Sequence, residues 1–304
     1  MIFVNDVDKS FGKTKVLDNI SFNVNDCSVY GLIGYNGAGK TTLLNIISGL
    51  YLADNGKVEI EIDGKKQQPF NNSVVKRSLF YVNDNPYYFR NANLITMRDF
   101  YCGMYPNWSD QSFKKLINLF QIDPNKKISN FSKGMKRQSA IILGLASKAR
   151  YIFLDESFDG LDPNIRMLVS NLLAEYIVET EASIIAASHN LYELENICDT
   201  VGMINGNKMI YSDEIETVKS KARKYRVSVE GTVGEDVRSR LNLKFFNNEL
   251  GVFTFQSNEE EEKIKSVFSQ YGEIILFESF GMTLNEIFVY ETEDKSNEIE
   301  GIFA

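Results

Sequence analysis

Histidine is almost absent from this chain: 304 residues contain one, His189. Cysteine is little more common, and Cys27, Cys102 and Cys198 lie far apart. Three scattered thiols build neither a disulfide framework nor a metal-ligand spacing, so they read as small buried hydrophobes in a reducing compartment. Positive charge is in deficit, with 33 Lys and Arg against 41 Asp and Glu and a formal net charge of -8. That balance argues against a general nucleic-acid binder, which needs a basic surface. No apolar run approaches the ~18 residues of a membrane span. The longest candidate, Ser139–Ala146, reads as a buried helix. Met1–Asp6 carries neither the basic region nor the long apolar run of a signal peptide. The expectation is a chain in the cytosol, or one held at a membrane by a partner.

What is present suffices for a substantial core. Apolar residues make up 43% of a length that suits one large domain and one small one. Phe3-Val4 and Ile20–Val24 read as antiparallel strands, and Val58–Ile62 alternates with period two. Val29–Ile33, Tyr151–Leu154 and Ser183–Ala187 are short apolar runs of the kind found in strands buried on both faces. Helical patterns fill Thr41–Leu50, most of residues 93–147, and Asn164–Val178. Strands alternating with helices predict an α/β fold with a parallel sheet and crossovers. After about Thr217 the pattern changes: a basic connector at Lys219–Lys224 precedes a strand (Tyr225–Val229), a helix (Glu235–Leu241) and a hairpin turning at Asn247-Asn248. An acidic helix (Asn258–Gln270), a strand (Ile274–Phe277) and a short helix (Leu284–Phe288) follow, which predicts a small α+β domain, a split βαβ sandwich, with a polar tail after Glu291.

Ligands of parallel sheets bind at the carboxyl ends of the strands, and three motifs fall there. Gly34–Thr41 fits G-x-x-x-x-G-K-[ST] between a buried strand and a helix, the context that marks a phosphate-binding loop. Its backbone N–H groups turn inward around phosphate oxygens and the helix N-terminus adds a favourable dipole. The candidate nucleotide-binding residues are Gly34, Asn36, Gly37, Ala38, Gly39, Lys40, Thr41 and Thr42, with Lys40 reaching the β- and γ-phosphates and Thr41 holding Mg²⁺. Asp155 and Glu156 close the second strand, where one carboxylate can serve the Mg²⁺ shell and the next can polarise the attacking water. His189 closes the third and can sense a phosphate.

Phe131-Ser132-Lys133-Gly134-Met135 resembles the signature motif of ABC-type ATPases, usually leucine-serine-glycine-glycine-glutamine, in a form common among bacterial exporters. Asp159-Gly160-Leu161-Asp162-Pro163 resembles that family's D-loop and Ser188-His189 its switch histidine. The resemblance covers roughly residues 1–217. It implies a cassette with a RecA-like parallel-sheet core, an antiparallel β subdomain and a helical subdomain at about residues 86–148, with residues 218–304 as an accessory domain. It further implies that ATP bound at Lys40 and Thr41 of one copy is closed over by Ser132 and Gly134 of a second, so that one copy carries half a site. Phe11 occupies the place of the aromatic that stacks on adenine, unless it packs elsewhere on the surface, and Val16 can lie beside the base. Two departures stand out. Ser157 replaces a proline often found after the catalytic glutamate, and the stretch Phe80–Pro86 offers Asp84 where the family places a metal-contacting glutamine. An ionised aspartate cannot donate a hydrogen bond, and Asn83 or Asn85 could take the role instead.

The expected function is the ATP-hydrolysing subunit of an ABC exporter at the cytoplasmic face of the membrane. It would work with a polytopic membrane permease and a second copy of itself, without nucleic acid, use ATP and Mg²⁺, and export peptides, with drug or lipid export as the near alternative. Tyr87, Tyr88 and Phe89, with Tyr101 and Tyr105, mark a surface suited to the membrane subunit, or else core packing. Glu259–Glu262 reads as a solvated helix face, and Met282–Phe288 resembles a terminal helix of exporter cassettes. The alternative is a soluble ABC ATPase acting on nucleic acid or ribosomes. The chain shows neither the inserted coiled coil nor the second phosphate loop of such relatives.

Overall fold

A computed structural model describes residues 1–234 and 236–292. The chain divides into two compact units, Met1–Asp213 and a second from Glu214 onward. In chain order the first begins with β1 (Ile2–Phe11), β2 (Thr14–Val24), β3 (Val29–Gly34), α1 (Lys40–Ile47), β4 (Asn55–Ile62), β5 (Lys65–Gln67), α2 (Ser73–Ser78) and β6 (Leu79–Val82). It continues through α3 (Leu94–Met104), α4 (Asp110–Phe120), a 3₁₀ turn (Ile128–Asn130), α5 (Lys133–Ala146), β7 (Tyr151–Asp155), α6 (Pro163–Thr180), β8 (Ser183–Ser188), α7 (Leu191–Glu195), β9 (Thr200–Asn205) and β10 (Lys208–Glu214).

Among the described residues β2-β1-β4-β5 form one sheet, and β1 pairs antiparallel with both β2 and β4. A six-stranded sheet runs β10-β9-β3-β8-β7-β6. In it β9, β3, β8, β7 and β6 pair in parallel. Every residue of β3, β7 and β8 is buried, which is why these runs carry no polar alternation. The parallel registry brings Gly34, Asp155 and Ser188 to the same ends of neighbouring strands, so the site is set by the sheet.

The helical segment packs by the usual amphipathic rule. On α4, Phe113, Leu116, Ile117 and Phe120 are buried, a spacing of three to four that draws one stripe down the helix. Ser109 caps it by accepting from the Ser112 amide at 3.1 Å, Asp110 complements the first turn, and Gln121 ends it in the left-handed conformation. Burying each of those side chains contributes about 1.5–3 kcal/mol.

The second unit contains α8 (Ile215–Ser220), β11 (Arg223–Val229), α9 (Asp236–Arg240), β12 (Lys244–Glu249), β13 (Val252–Ser257), α10 (Glu261–Phe268), β14 (Ile274–Gly281) and α11 (Leu284–Thr292). From β11 to β14 the order is βαββαβ and the sheet runs β12-β13-β11-β14, the split βαβ pattern. Tyr225, Val227, Phe253 and Phe255 on the sheet pack with Val237, Leu241, Ile264 and Phe268.

Several expectations are corrected in detail. The hairpin turns at Leu250-Gly251, both at positive φ, while Asn247 and Asn248 belong to β12. Asn248 supports that turn from the strand end, its Oδ1 accepting from the Gly251 amide at 3.2 Å. Glu259–Glu262 are exposed or half-exposed, as a solvated helix face would be, and gather at the start of α10, with Glu261 and Glu262 in its first turn against the positive end of the dipole. Cys198 is buried, but Cys27 and Cys102 are exposed. Cys27 sits at φ 51° between β2 and β3, a turn that the scarcity of thiols could not reveal. Glu235, the expected start of a helix, and the tail from residue 293 lie outside the described residues.

Candidate functional site

The phosphate loop joins β3 to α1. Gly39 caps α1 at φ 100°, and a Cβ there would lie 2.8 Å from the Leu17 side chain and 3.1 Å from the Val16 carbonyl oxygen. Only glycine satisfies both the backbone angle and that close approach. A cavity of about 290 Å³ opens at the loop, lined by Val16, Tyr35, Asn36, Gly37, Gly39, Lys40, Thr41, Thr42, Asp84 and Glu156. Gly34 and Ala38 are buried in the loop's base.

Lys40 is 6% exposed and is held three ways. Its Nζ donates to the Gly34 carbonyl at 2.7 Å and the Tyr35 carbonyl at 3.4 Å, and lies 3.2 Å from Glu156 Oε1. The other carboxylate oxygen of Glu156 faces His189: Oε2 is 2.8 Å from Nδ1 and accepts from the His189 amide at 3.3 Å. Glu156 has φ 48°, an uncommon angle for a side-chain-bearing residue. Its amide donates to the Ala187 carbonyl of β8 at 2.9 Å, which fixes that backbone. His189 is half-exposed, so it is not the satisfied core histidine that a lone histidine often is. Asp159 joins this pair, with carboxylate and imidazole atoms of the three residues within 4.8 Å of one another.

Asp155 is fully buried beneath them. Desolvation raises its pKa, the neighbouring hydroxyls of Thr41 and Tyr81 oppose the rise, the Glu156 charge adds to it and the Lys40 charge offsets it. Tyr81 donates to Oδ2 at 3.1 Å, whereas Oδ1 has no hydrogen-bond partner among the described residues.

The segment after His189 is pinned from the other side. Asn190 donates from Nδ2 to Glu193 Oε1 at 2.8 Å, and Arg166 pairs with the same oxygen at 2.6 Å. Arg166 Nε also donates to the Leu161 carbonyl at 2.8 Å, linking α7 to the loop before α6. Burial raises the Glu193 carboxyl, and Arg166 opposes that rise.

Ser132 caps α5 and is exposed at its N-terminus, its Oγ accepting from the Met135 amide at 3.1 Å. Gly134 has a structural duty besides: a Cβ there would lie 2.7 Å from the Gly160 carbonyl oxygen. Asp84 lines the phosphate-loop cavity, as a metal ligand would, yet its Oδ1 is ion-paired with Arg137. Phe11 is exposed outside that lining, its ring edge-on to Tyr51 at 5.9 Å.

The aromatic surface splits. Tyr101 and Tyr105 pack on Phe80 at 5.1 and 5.4 Å between centroids, and Tyr105 donates to the Leu79 carbonyl at 2.9 Å, so Tyr105 is core and Tyr101 half-buried beside it. Tyr87, Phe89 and Phe100 stay exposed, and Phe89 meets each of the other two edge to face.

Arg137, Tyr81 and the Arg166–Glu193 pair carry no sequence motif that marks them as functional. Arg137 left one signal: it lies four residues before Ile141 on the buried face of α5, where a charge demands a partner.

The ABC transporter family pattern matches residues 17–159. The uncharacterized ABC transporter ATP-binding protein MJ1023 of Methanocaldococcus jannaschii is 31% identical over 72% of this chain and 80% of its own length. The ABC transporter ATP-binding protein YtrB of Bacillus subtilis is 26% identical over 95% of this chain and 97% of that protein. Similar proteins bear divergent transport names: bacitracin transport ATP-binding protein BcrA of Bacillus licheniformis at 29% identity, and methionine import ATP-binding protein MetN of Clostridium tetani at 26%. Among solved structures, the ATP-binding subunit of an ABC transporter superposes with a TM-score of 0.65 at 23% identity, over 72% of this chain and 92% of that one. The chain therefore belongs to the ABC transporter ATP-binding proteins and is an ATP-hydrolysing transporter subunit.

Proposed function

We propose that this chain works as a homodimer beneath a polytopic permease, at the cytoplasmic face of the membrane, and drives export of peptides. The observation that carries the catalytic half of this reading is the Glu156 carboxylate, held between Lys40 at 3.2 Å and His189 at 2.8 Å on the rim of the phosphate-loop cavity. ATP would draw the Lys40 ammonium onto its β- and γ-phosphates and so release Glu156 from it. Glu156 then accepts the proton of the attacking water. The water oxygen bonds the γ-phosphorus as the bond to the bridging oxygen breaks, giving ADP and phosphate. His189, kept in place by Glu156, faces the γ-phosphate, and the exposed Ser132 end of α5 would complete the partner copy's site. Phe11 would stack on the base.

Thr41 on the cavity wall and the unpartnered Asp155 Oδ1 beneath it are hard oxygen donors that suit Mg²⁺. When bound, that cation neutralises charge on the β- and γ-phosphates. Tyr81, holding the other Asp155 oxygen, positions the carboxylate. Tyr81→Phe should therefore raise the Mg²⁺ concentration for half-maximal ATP hydrolysis about tenfold. The defect should deepen as pH falls, because burial then raises the Asp155 pKa with less opposition and protons compete better for it. An unchanged Mg²⁺ midpoint at every pH would remove Tyr81 from this role.

Peptide export is supported by the likeness to the bacitracin transport protein and by the exposed Tyr87, Phe89 and Phe100, a surface fit for a membrane subunit. Tagged Glu156→Gln protein drawn from its own membranes in mild detergent with ATP should carry a polytopic membrane protein in stoichiometric amount. The unaltered pair, placed in vesicles with the cassettes outside, should then accumulate a labelled cationic peptide when ATP is added. Recovery of ribosomes or nucleic acid instead would overturn the proposed permease pairing. Failure to move peptide in that orientation would overturn export.

A further inference from the structure

Arg137 is the largest fully buried side chain of the molecule's described part, at 1% exposure, and nothing in the hydrolysis scheme above employs it. It sits one turn into α5, the helix that Ser132 caps. One terminal nitrogen of its guanidinium donates to the Asp159 carbonyl and the other to Asp84 Oδ1, while Nε has no partner among the described residues. A buried guanidinium needs a counter-ion, and Asp84 supplies it. Three pieces of the site thereby meet on one side chain: the segment after β6, the loop that follows Glu156, and the helix that presents Ser132. Two further contacts lie along the same seam. Tyr88 donates from its hydroxyl to the Lys136 carbonyl at 2.5 Å. The first turn of α5 runs so close to the 159–163 loop that a Cβ on Gly134 would sit 2.7 Å from the Gly160 oxygen.

We infer that Arg137 is a positioning residue for hydrolysis, that Asp84 serves as its counter-ion, and that Asp84 does not bind the metal. The two duties exclude each other. A carboxylate drawn to a cation at the phosphates would leave the guanidinium buried and uncompensated, whereas the fork of Arg137 joins Asp84 to the Asp159 backbone directly. Through that fork, movement of the segment after β6 passes to the 159–163 loop and to Ser132 together. This inference rests on the cation reading proposed above only for what it denies to Asp84.

The test uses the full chain with Asp84→Asn, Arg137→Gln and the two combined. Amide hydrogen exchange over residues 157–163, measured without Mg²⁺ or nucleotide, should quicken about tenfold in each single variant. The combined variant should be no worse than the poorer single one, because the two amides can hydrogen-bond each other and neither is charged. The Mg²⁺ midpoint for hydrolysis should stay within about twofold in Asp84→Asn, against the tenfold loss expected of a removed ligand. A tenfold rise in that midpoint with unaltered exchange would make Asp84 a metal ligand and overturn the inference, as would unaltered exchange in Arg137→Gln. Should Arg137→Gln not fold, Arg137→Lys keeps the charge but not the fork, and the inference requires it to free residues 157–163 while retaining the fold. Hydrolysis by the unaltered chain without any need for Mg²⁺ would remove the cation reading, and the exchange measurement would still judge Arg137.

Discussion

Glu156→Gln is expected to reduce phosphate release by about a hundred- to ten-thousandfold, the usual worth of a positioned general base. Glutamine keeps the shape of the side chain and inherits the same strained backbone at φ 48°, so the loop should retain its course. What it loses is the charge that faces Lys40 at 3.2 Å and the basicity needed to take a proton from water. Without that charge Lys40 has one partner fewer and is freer to meet phosphates, so nucleotide affinity should hold or improve. Binding without turnover should then collect the protein as an ATP-dependent dimer, measurable by light scattering beside a phosphate-release assay. Turnover within about tenfold of the unaltered chain would disqualify Glu156 as the base, since a lost base costs at least ten times that.

The phosphate loop, the strand-end acids and the terminal histidine were legible because each is a local pattern tied to the end of a buried strand. Parallel pairing alone then brings them together, so the spacing of short apolar runs carried most of the cassette. Pairs that depend on which strand lies beside which were not legible. Tyr81 reaches Asp155 only because β6 neighbours β7, and Asp84 meets Arg137 only because α5 folds back on that edge. Asp84 departs visibly from the family pattern, but its partner stands one turn inside a helix whose apolar run masks the charge. The aromatic residues show the same limit from the other side. Tyr87 and Tyr105 are alike in type and neighbourhood, yet one is exposed and the other hydrogen-bonds a carbonyl inside the fold. In the second unit, period-two alternation located the strands, while the turn at Leu250-Gly251 was misplaced because the asparagines that support it also favour turns.

Lys40→Ala should act on binding where Glu156→Gln acts on turnover. The ammonium is nearly buried, satisfied by the Gly34 and Tyr35 carbonyls and by Glu156. ATP offers it stronger, charged acceptors at the mouth of a helix, and exchanging those partners costs little because the loop already holds the side chain in place. Alanine removes the donor altogether and leaves Glu156 facing the polyphosphate without an intervening cation. Loss of two charge-assisted contacts should weaken ATP binding roughly a hundredfold, about 2.7 kcal/mol, readable by titration calorimetry. Arginine should not restore it, because its planar fork is too large for a site closed by the Gly34 carbonyl and Glu156. Two controls sharpen the reading. ADP, which lacks the γ-phosphate, should lose less affinity than ATP in Lys40→Ala, and Glu156→Gln added to Lys40→Ala should recover part of the loss by removing the uncompensated carboxylate. Equal ATP affinity in Lys40→Ala and the unaltered chain would mean that the backbone amides alone carry the phosphates, and that the Lys40–Glu156 contact has no part in admitting the nucleotide.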